Sequence, residues 1–186
     1  MRKIVYLVTV SLDGFMEGPK GDLGWHRVDA ELHAHLNDEI RGAGAFLEGR
    51  VMYELMAAYW PTADQAPGAT DVEKEFARIW RETPKVVYSK TLQQAAWNAT
   101  LVREFDPAAV RKLQAEPGGD MIVGGAVLAS AFWSHDLIDE YRIYVDPVVI
   151  GEGRRPFPAG WAHIPLRLSE TRSFGNGVVL LRYGRP

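Results

Sequence analysis

The sequence predicts an α/β protein: a mainly parallel mixed sheet of about eight strands, covered by helices on both faces, with an antiparallel hairpin at its C-terminal edge. Three observations carry that prediction. Short apolar, β-branched runs alternate with segments whose apolar residues recur at helical spacing. Glycine turns stand between strand and helix at residues 49–50 and 124–125. The chain closes with two strand-like runs joined by Gly175-Asn176-Gly177, a hairpin signal.

Taken in order, residues 3–10 form a near-continuous apolar run that fits a strand buried on both faces, ended by Ser11-Leu12-Asp13-Gly14. Residues 15–25, with Gly18, Pro19, Gly21 and Gly24, are too glycine-rich for regular structure. Asp29 is a plausible N-cap for a helix to residue 41 carrying Leu32, Leu36 and Ile40. A short buried strand at 45–47 leads through Gly49-Arg50 into a helix from Val51 to about residue 59. Residues 60–70 read as a polar loop. Asp71 is then expected to cap a helix with Val72, Phe76, Ile79 and Trp80 on its apolar face, ending before Pro84. Strands follow at 85–89 and, more weakly, at 99–102. Asp106-Pro107 opens a short helix to about residue 116. The segment from residue 120 then reads strand, diglycine, helix (126–133) and strand (138–145), with Tyr141, Ile143 and Val145 on one face and Arg142 and Tyr144 on the other. The closing hairpin spans 166–174 and 178–183.

The chain has 186 residues and no linker-like break in composition, which predicts one domain over residues 1–186. At 47% hydrophobic and 24% charged it can bury a real core, and a net charge of −3 without any basic block argues against a nucleic-acid surface. With no cysteine there is no disulfide, thiolate metal site or cysteine nucleophile, which suits a cytoplasmic protein. The five histidines lack any metal-binding spacing, so no metal is expected. No run is long enough to span a membrane.

Ligands of open α/β sheets sit beyond the carboxyl ends of strands. Four such ends here carry ligand-like residues: the 11–14 turn, Gly49-Arg50, Ser89-Lys90 and Gly124-Gly125. A diglycine that opens a helix exposes backbone N–H groups at the helix's positive end, where a phosphate is stabilised. Taken alone it is equally a tight turn. Two such helix starts plus an arginine could hold a ligand with several phosphates, and a dinucleotide fits. The usual G-x-G-x-x-G fingerprint, the phosphate loop of nucleotide triphosphatases and the G-x-S-x-G elbow are all missing.

These residues also carry a family resemblance. S-L-D-G (11–14), F-L-E-G-R-V-M-Y-E (46–54), V-V-Y-S-K (86–90) and M-I-V-G-G-A-V-L (121–128) occur in the order seen in the dihydrofolate reductase-like superfamily. The long motif L-I-D-E-Y-R-I-Y-V-D-P-V-V-I-G-E-G-R-R-P-F (137–157) closely resembles the C-terminal reductase domain of the bacterial riboflavin-pathway deaminase-reductase. The resemblance implies a dihydrofolate reductase-like three-layer sandwich, a homodimer, and NADPH-dependent hydride transfer to a pyrimidine-linked or related heterocycle. It implies that Arg50, Ser89 and Lys90 face the 2′-phosphate, with Gly49 and Val51 at the same helix start. Gly124, Gly125, Ala126 and Val127 would line the pyrophosphate, and Val10, Asp13 and Gly14 the nicotinamide. Asp13 and Asp29 are the candidate catalytic carboxylates, with Glu31 beside Asp29. Trp25, Arg154 and Arg155 are candidate substrate contacts. The Gly49-Arg50 turn follows the folate branch and residues 137–157 the riboflavin branch, and Glu17 stands where the family has a small residue. A pterin reductase and a non-catalytic nucleotide-binding protein are the alternatives, and Asp29 serves equally as an ordinary N-cap.

Overall fold

The computed structural model describes residues 1–157 and 163–186. Its elements are β1 (Ile4–Ser11), α1 (Ala30–Ile40), β2 (Ala45–Gly49), α2 (Arg50–Tyr59), α3 (Asp71–Glu82), β3 (Lys85–Tyr88), β4 (Ala99–Val102), α4 (Pro107–Ala115), β5 (Met121–Gly124), α5 (Ala126–Ser134), β6 (Glu140–Asp146), β7 (Arg167–Ser173) and β8 (Val179–Gly184). They form one eight-stranded sheet in the order β4-β3-β2-β5-β1-β6-β8-β7. Strands β1 to β6 run parallel, and β8 and β7 close the sheet antiparallel.

The expected alternation is therefore present, and its cause is burial on both faces. Ile4, Tyr6, Leu47 and Val123 point to one side, where Val110 of α4 and Leu128 and Phe132 of α5 cover them. Val5, Phe46 and Ile122 point to the other, against Ile40 of α1, Tyr53 of α2 and Ile79 and Trp80 of α3. Tyr144, on the same side as Val5, packs with Leu32, Phe174 and Leu180. The two-face reading of β6 holds, but both faces are buried. Arg142 is admitted because it is fully paired: Nη1 lies 2.8 Å from Glu39 and Nε 2.7 Å from Glu140. A buried guanidinium left alone would be strongly destabilising.

Three local expectations are corrected. Asp71 is the first residue of α3; its cap is Thr70, whose side chain accepts from the Glu73 amide while Glu73 accepts from the Thr70 amide at 2.8 Å. That reciprocal box satisfies two orphan donors at once, which Asp71 could not do. Residues 60–65 form a 3-10 turn, opened by Pro61 in the first turn, where its missing N–H costs nothing. Helix α2 begins at Arg50, one residue earlier than expected.

Lys85 fixes the α3–β3 join. It is buried and donates to the Trp80, Thr83 (2.7 Å) and Trp97 (2.9 Å) carbonyls, and its ammonium lies 4.2 Å above the Trp80 ring. A cation thus meets the negative end of α3 and takes up carbonyls that the helix leaves unpaired.

Candidate functional site

Parallel pairing sets β2 beside β5 with Glu48 opposite Gly124, so α2 and α5 start side by side at the carboxyl edge of the sheet. Both start on glycine. Gly49 caps α2 and Gly125 caps α5, neither with a side-chain hydrogen bond and neither with an acidic residue in the first turn. Gly125 has φ +87°, a conformation that strains any other residue. A β-carbon on Gly124 would meet the Met52 side chain of α2 at 3.5 Å, an ordinary contact, so only Gly125 demands glycine here. The first amides of the two helices are left for a ligand, at the positive ends of two dipoles.

Between the two helix starts lies a cavity of about 410 Å³. The structure brings Gly49, Arg50, Val51, Gly124, Gly125, Ala126, Val127 and Arg154 to its walls, together with Met52 and Tyr88, which the sequence reading did not select. Val51 and Val127 are 70% and 73% exposed, so the chain itself covers neither, and they extend a mostly apolar lining that includes Leu23, Met52, Leu55 and Leu128. Among the described residues Arg50 pairs with Glu54, Nη1 to Oε2 at 3.0 Å, and its guanidinium is about half exposed. Amide floor, cation and apolar lining together fit a dinucleotide.

Other candidates stand elsewhere. Ser89 and Lys90 follow β3, one strand beyond β2. The Ser89 hydroxyl accepts from the Thr91 and Leu92 amides (3.3 and 2.9 Å), and Lys90 is exposed. Val10 is a core residue paired with Val145. Gly14, at φ +84°, closes the turn after β1 by donating to Ser11 O at 2.9 Å. Arg155 leans on that turn, with Nη1 3.4 Å from Asp13 O and its guanidinium 4.5 Å over the Phe15 ring. Trp25 donates to Asp22 O at 3.1 Å and packs edge-on against His26, away from the cavity lining.

The two candidate carboxylates have structural tasks. Asp13 accepts from the Ile150 and Gly151 amides at 3.2 and 2.8 Å, tying the β1 exit to the turn after β6. The Ser11 hydroxyl, then those amides, hold it below the usual carboxylate range, so it stays charged at neutral pH. Asp29 caps α1 by accepting from Leu32 N at 2.9 Å. Glu31 accepts from Gly175 N at 3.0 Å.

The chain at residues 17 and 154 meets at one wall of the cavity. Glu17 and Arg154 pair antiparallel, joined by backbone bonds of 2.8–2.9 Å and by an ion pair at 2.6 Å. Gly153 makes this possible, since a β-carbon there would lie 2.0 Å from Glu17 O. Glu17 is thus the partner of Arg154, which accounts for a charged residue at that position.

Met52 and Gly124 also line a second cavity, of about 180 Å³, on the α1–α3 side of the sheet. Its walls are mostly apolar, but Glu48 lies in them. Glu48 is 5% exposed, and its Oε2 has no hydrogen-bond partner. Burial pushes its carboxyl up to about 7, against the opposing pull of Lys85 and then of the Trp80 indole. The Trp80 indole N–H, which has no other partner among the described residues, is the donor that pulls on this carboxyl. The signal in the sequence was a lone acid in an otherwise apolar strand.

The sequence matches the family model of the RibD C-terminal domain over residues 2–180. It is 32% identical to YyaP of Bacillus subtilis over 98% of this chain and 94% of that one, and 28% identical to YwjB of the same organism over 96% of each; both are uncharacterised. Among solved structures, a Shewanella sp. PV-4 protein named for riboflavin biosynthesis superimposes with a TM-score of 0.73 at 18% identity, covering 99% of both chains. The Thermotoga maritima diaminohydroxyphosphoribosylaminopyrimidine deaminase/5-amino-6-(5-phosphoribosylamino)uracil reductase superimposes with a TM-score of 0.66 at 13% identity, over all of this chain and 57% of that one. The structural likenesses show the fold, and the sequence match shows the lineage: this chain belongs to the RibD C-terminal domain family.

Proposed function

We propose that this chain is an NADPH-dependent reductase of the riboflavin-pathway type, related in activity to 5-amino-6-(5-phosphoribosylamino)uracil reductase, that delivers hydride to a pyrimidine-linked or related heterocycle. The observation that carries the reading is the pair of glycine-capped helix starts, α2 and α5, which turn uncapped amides and Arg50 into one cavity. NADPH would supply the hydride. The chain's own residues bind and orient it: Gly124, Gly125, Ala126 and Val127 around the pyrophosphate, Gly49, Arg50 and Val51 opposite, and Ser89 and Lys90 toward the 2′-phosphate. Val10, Asp13 and Gly14 border the nicotinamide end. In this reading Asp13 and Asp29 position loop and helix, and neither carries the proton. Trp25, Arg154 and Arg155 remain proposed substrate contacts, with Arg154 in the cavity wall. A homodimer belongs to the same proposal.

Titration with NADPH and NADH tests it. NADPH should bind at micromolar concentration, and Arg50→Ala should weaken NADPH about tenfold while changing NADH much less, since a guanidinium–phosphate contact contributes on the order of 1.5–3 kcal/mol. Equal losses for the two cofactors would remove the 2′-phosphate role, and millimolar binding of both would remove the cofactor site. The Gly49-Arg50 start favours a second reading, a pterin reductase. NADPH oxidation with dihydrofolate and with the ribosylaminopyrimidine, measured side by side, separates the two.

A further inference from the structure

One buried acid of β2 has no task in the cofactor reading. Glu48 immediately precedes Gly49, the cap of α2, and pairs in register with Gly124, which leads into the cap of α5. Its backbone thus lies between the two glycine starts, and the residue is only 5% exposed. The second cavity, on whose wall it stands, is lined from α1, α2 and β5 by Leu36, Ile40, Met52, Met56 and Ile122, none of them charged. Two polar groups act on the carboxyl. The Trp80 indole of α3 is a neutral donor, and Lys85 of β3 is the charge, but its ammonium is engaged by the Trp80, Thr83 and Trp97 carbonyls. Burial outweighs the pull of both, so the neutral acid is favoured up to about pH 7. Met52 and Gly124 line this cavity and the cofactor cavity alike, so the acid stands directly behind the place proposed for the phosphates.

We propose that Glu48 makes cofactor binding proton-linked: the dinucleotide binds best while Glu48 is a neutral acid, and its arrival draws a proton from the buffer onto any Glu48 that is ionised. The proposal rests on the cofactor site of the reading above and gives Glu48 no part in hydride transfer. Its cause is repulsion between like charges in a poorly screened place. A phosphate held by the amides after Gly124 lies one strand away from Glu48, on the order of 10 Å with the side chain included. At an effective dielectric of about 20, one phosphate charge at that distance disfavours the carboxylate about tenfold. Bulk salt screens a buried pair much less than an exposed one. An ionised Glu48 also competes with the phosphate for the positive end of α2. With the cofactor bound, Glu48 therefore keeps its proton to about one pH unit higher. Affinity is unaffected by Glu48 below about pH 7, falls as pH rises from about 7 to about 8, and levels off above. Lys85, which burial lowers to about 8, titrates at the upper end of that window, so the comparison needs a variant in which only Glu48 has changed.

Titration calorimetry of the full chain with NADPH tests this, run at pH 7.5 in phosphate and in Tris, whose ionisation enthalpies differ. The native chain should take up about half a proton more on binding than Glu48→Gln. Phosphate monoesters lose their second proton near pH 6, so any exchange common to both proteins belongs to the 2′-phosphate. Across pH 6 to 8.5, the ratio of native to Glu48→Gln dissociation constants should rise from its low-pH value by close to tenfold. Glu48→Leu, a second variant without an ionisable group, should follow Glu48→Gln, and its binding of NADPH shows that it is folded. Equal proton uptake by native chain and variants, or a ratio that stays flat with pH, overturns the proposal while leaving the cofactor site standing. Failure of NADPH to bind the native chain at any pH removes the cofactor site and this proposal with it.

Discussion

The helix starts at residues 30, 71 and 107 and those at residues 50 and 126 are built in opposite ways. The first three are capped by side chains: Asp29 on Leu32 N, Thr70 on Glu73 N and Asp106 on Ala108 N. The other two begin on Gly49 and Gly125, with no side-chain cap and no acid in the first turn. A side-chain cap contributes about 1 kcal/mol over alanine but only a few tenths over glycine, so the chain forgoes roughly 0.5 kcal/mol at two adjacent sites. Those two sites face each other across one cavity. The segment 48–50 extends the pattern, with an unpaired carboxyl, an uncapped helix and a half-exposed guanidinium in succession. The capped starts meet their own amides, and the two glycine starts leave theirs at the rim of one cavity.

The largest test of that contrast is the pH dependence of stability. Glu48 ionises near 4.5 when unfolded and near 7 when folded. The folded state therefore holds the extra proton between those values, and stability falls as pH rises through that window, by about 3 kcal/mol. Burial lowers the Lys85 ammonium to about 8, which lies above the window. Chemical denaturation from pH 4 to 8 should show the native chain losing this amount relative to Glu48→Gln. Parallel curves would mean that Glu48 is met in the folded state after all.

The second test acts on the capped side. Asp29→Ala and Thr70→Ala should each cost about 1 kcal/mol of stability and leave NADPH affinity unchanged. A loss of cofactor binding on either substitution would erase the distinction between the two kinds of helix start. A smaller effect is expected from Glu54→Gln, which frees Arg50 from a half-exposed pair. Such i,i+4 pairs contribute about 0.3–0.5 kcal/mol, so stability should barely move while NADPH binds up to about twofold more tightly. Weaker NADPH binding would make Glu54 part of the site.

What was legible in the sequence was local. The buried strands announced themselves by apolar runs, the hairpin with its exposed polar strand β7 by Gly175-Asn176-Gly177, and two caps by Asp29 and the Asp106-Pro107 pair, each readable from neighbours within a few residues. The Thr70 cap was equally readable as T-x-x-E with Glu73, but the adjacent Asp71 competed for the role. The cavity between the α2 and α5 starts was legible because its glycines sit directly at strand ends. The task of Asp13 was not, since its partners at 150 and 151 lie 137 and 138 residues away. Nor was that of Glu48, whose environment depends on α1, α2 and α3 folding over one face of β2. The pairing of Glu17 with Arg154 depends likewise on a distant glycine, Gly153.

Gly49→Asp bears most directly on the central claim, because it converts one uncapped start into the capped kind. Gly49 has ordinary extended angles (φ −77°, ψ 161°), and a β-carbon there would meet Leu128 at a comfortable 3.8 Å. An aspartate can therefore take the place it holds at α1. Thermal unfolding and NADPH titration of this variant should move in opposite directions: stability rises by roughly a few tenths of a kcal/mol, since glycine is itself a fair cap, and NADPH binding weakens about a hundredfold as a carboxylate occupies the amides and repels the phosphates. A stabilised variant that binds NADPH as the native chain does would contradict the account.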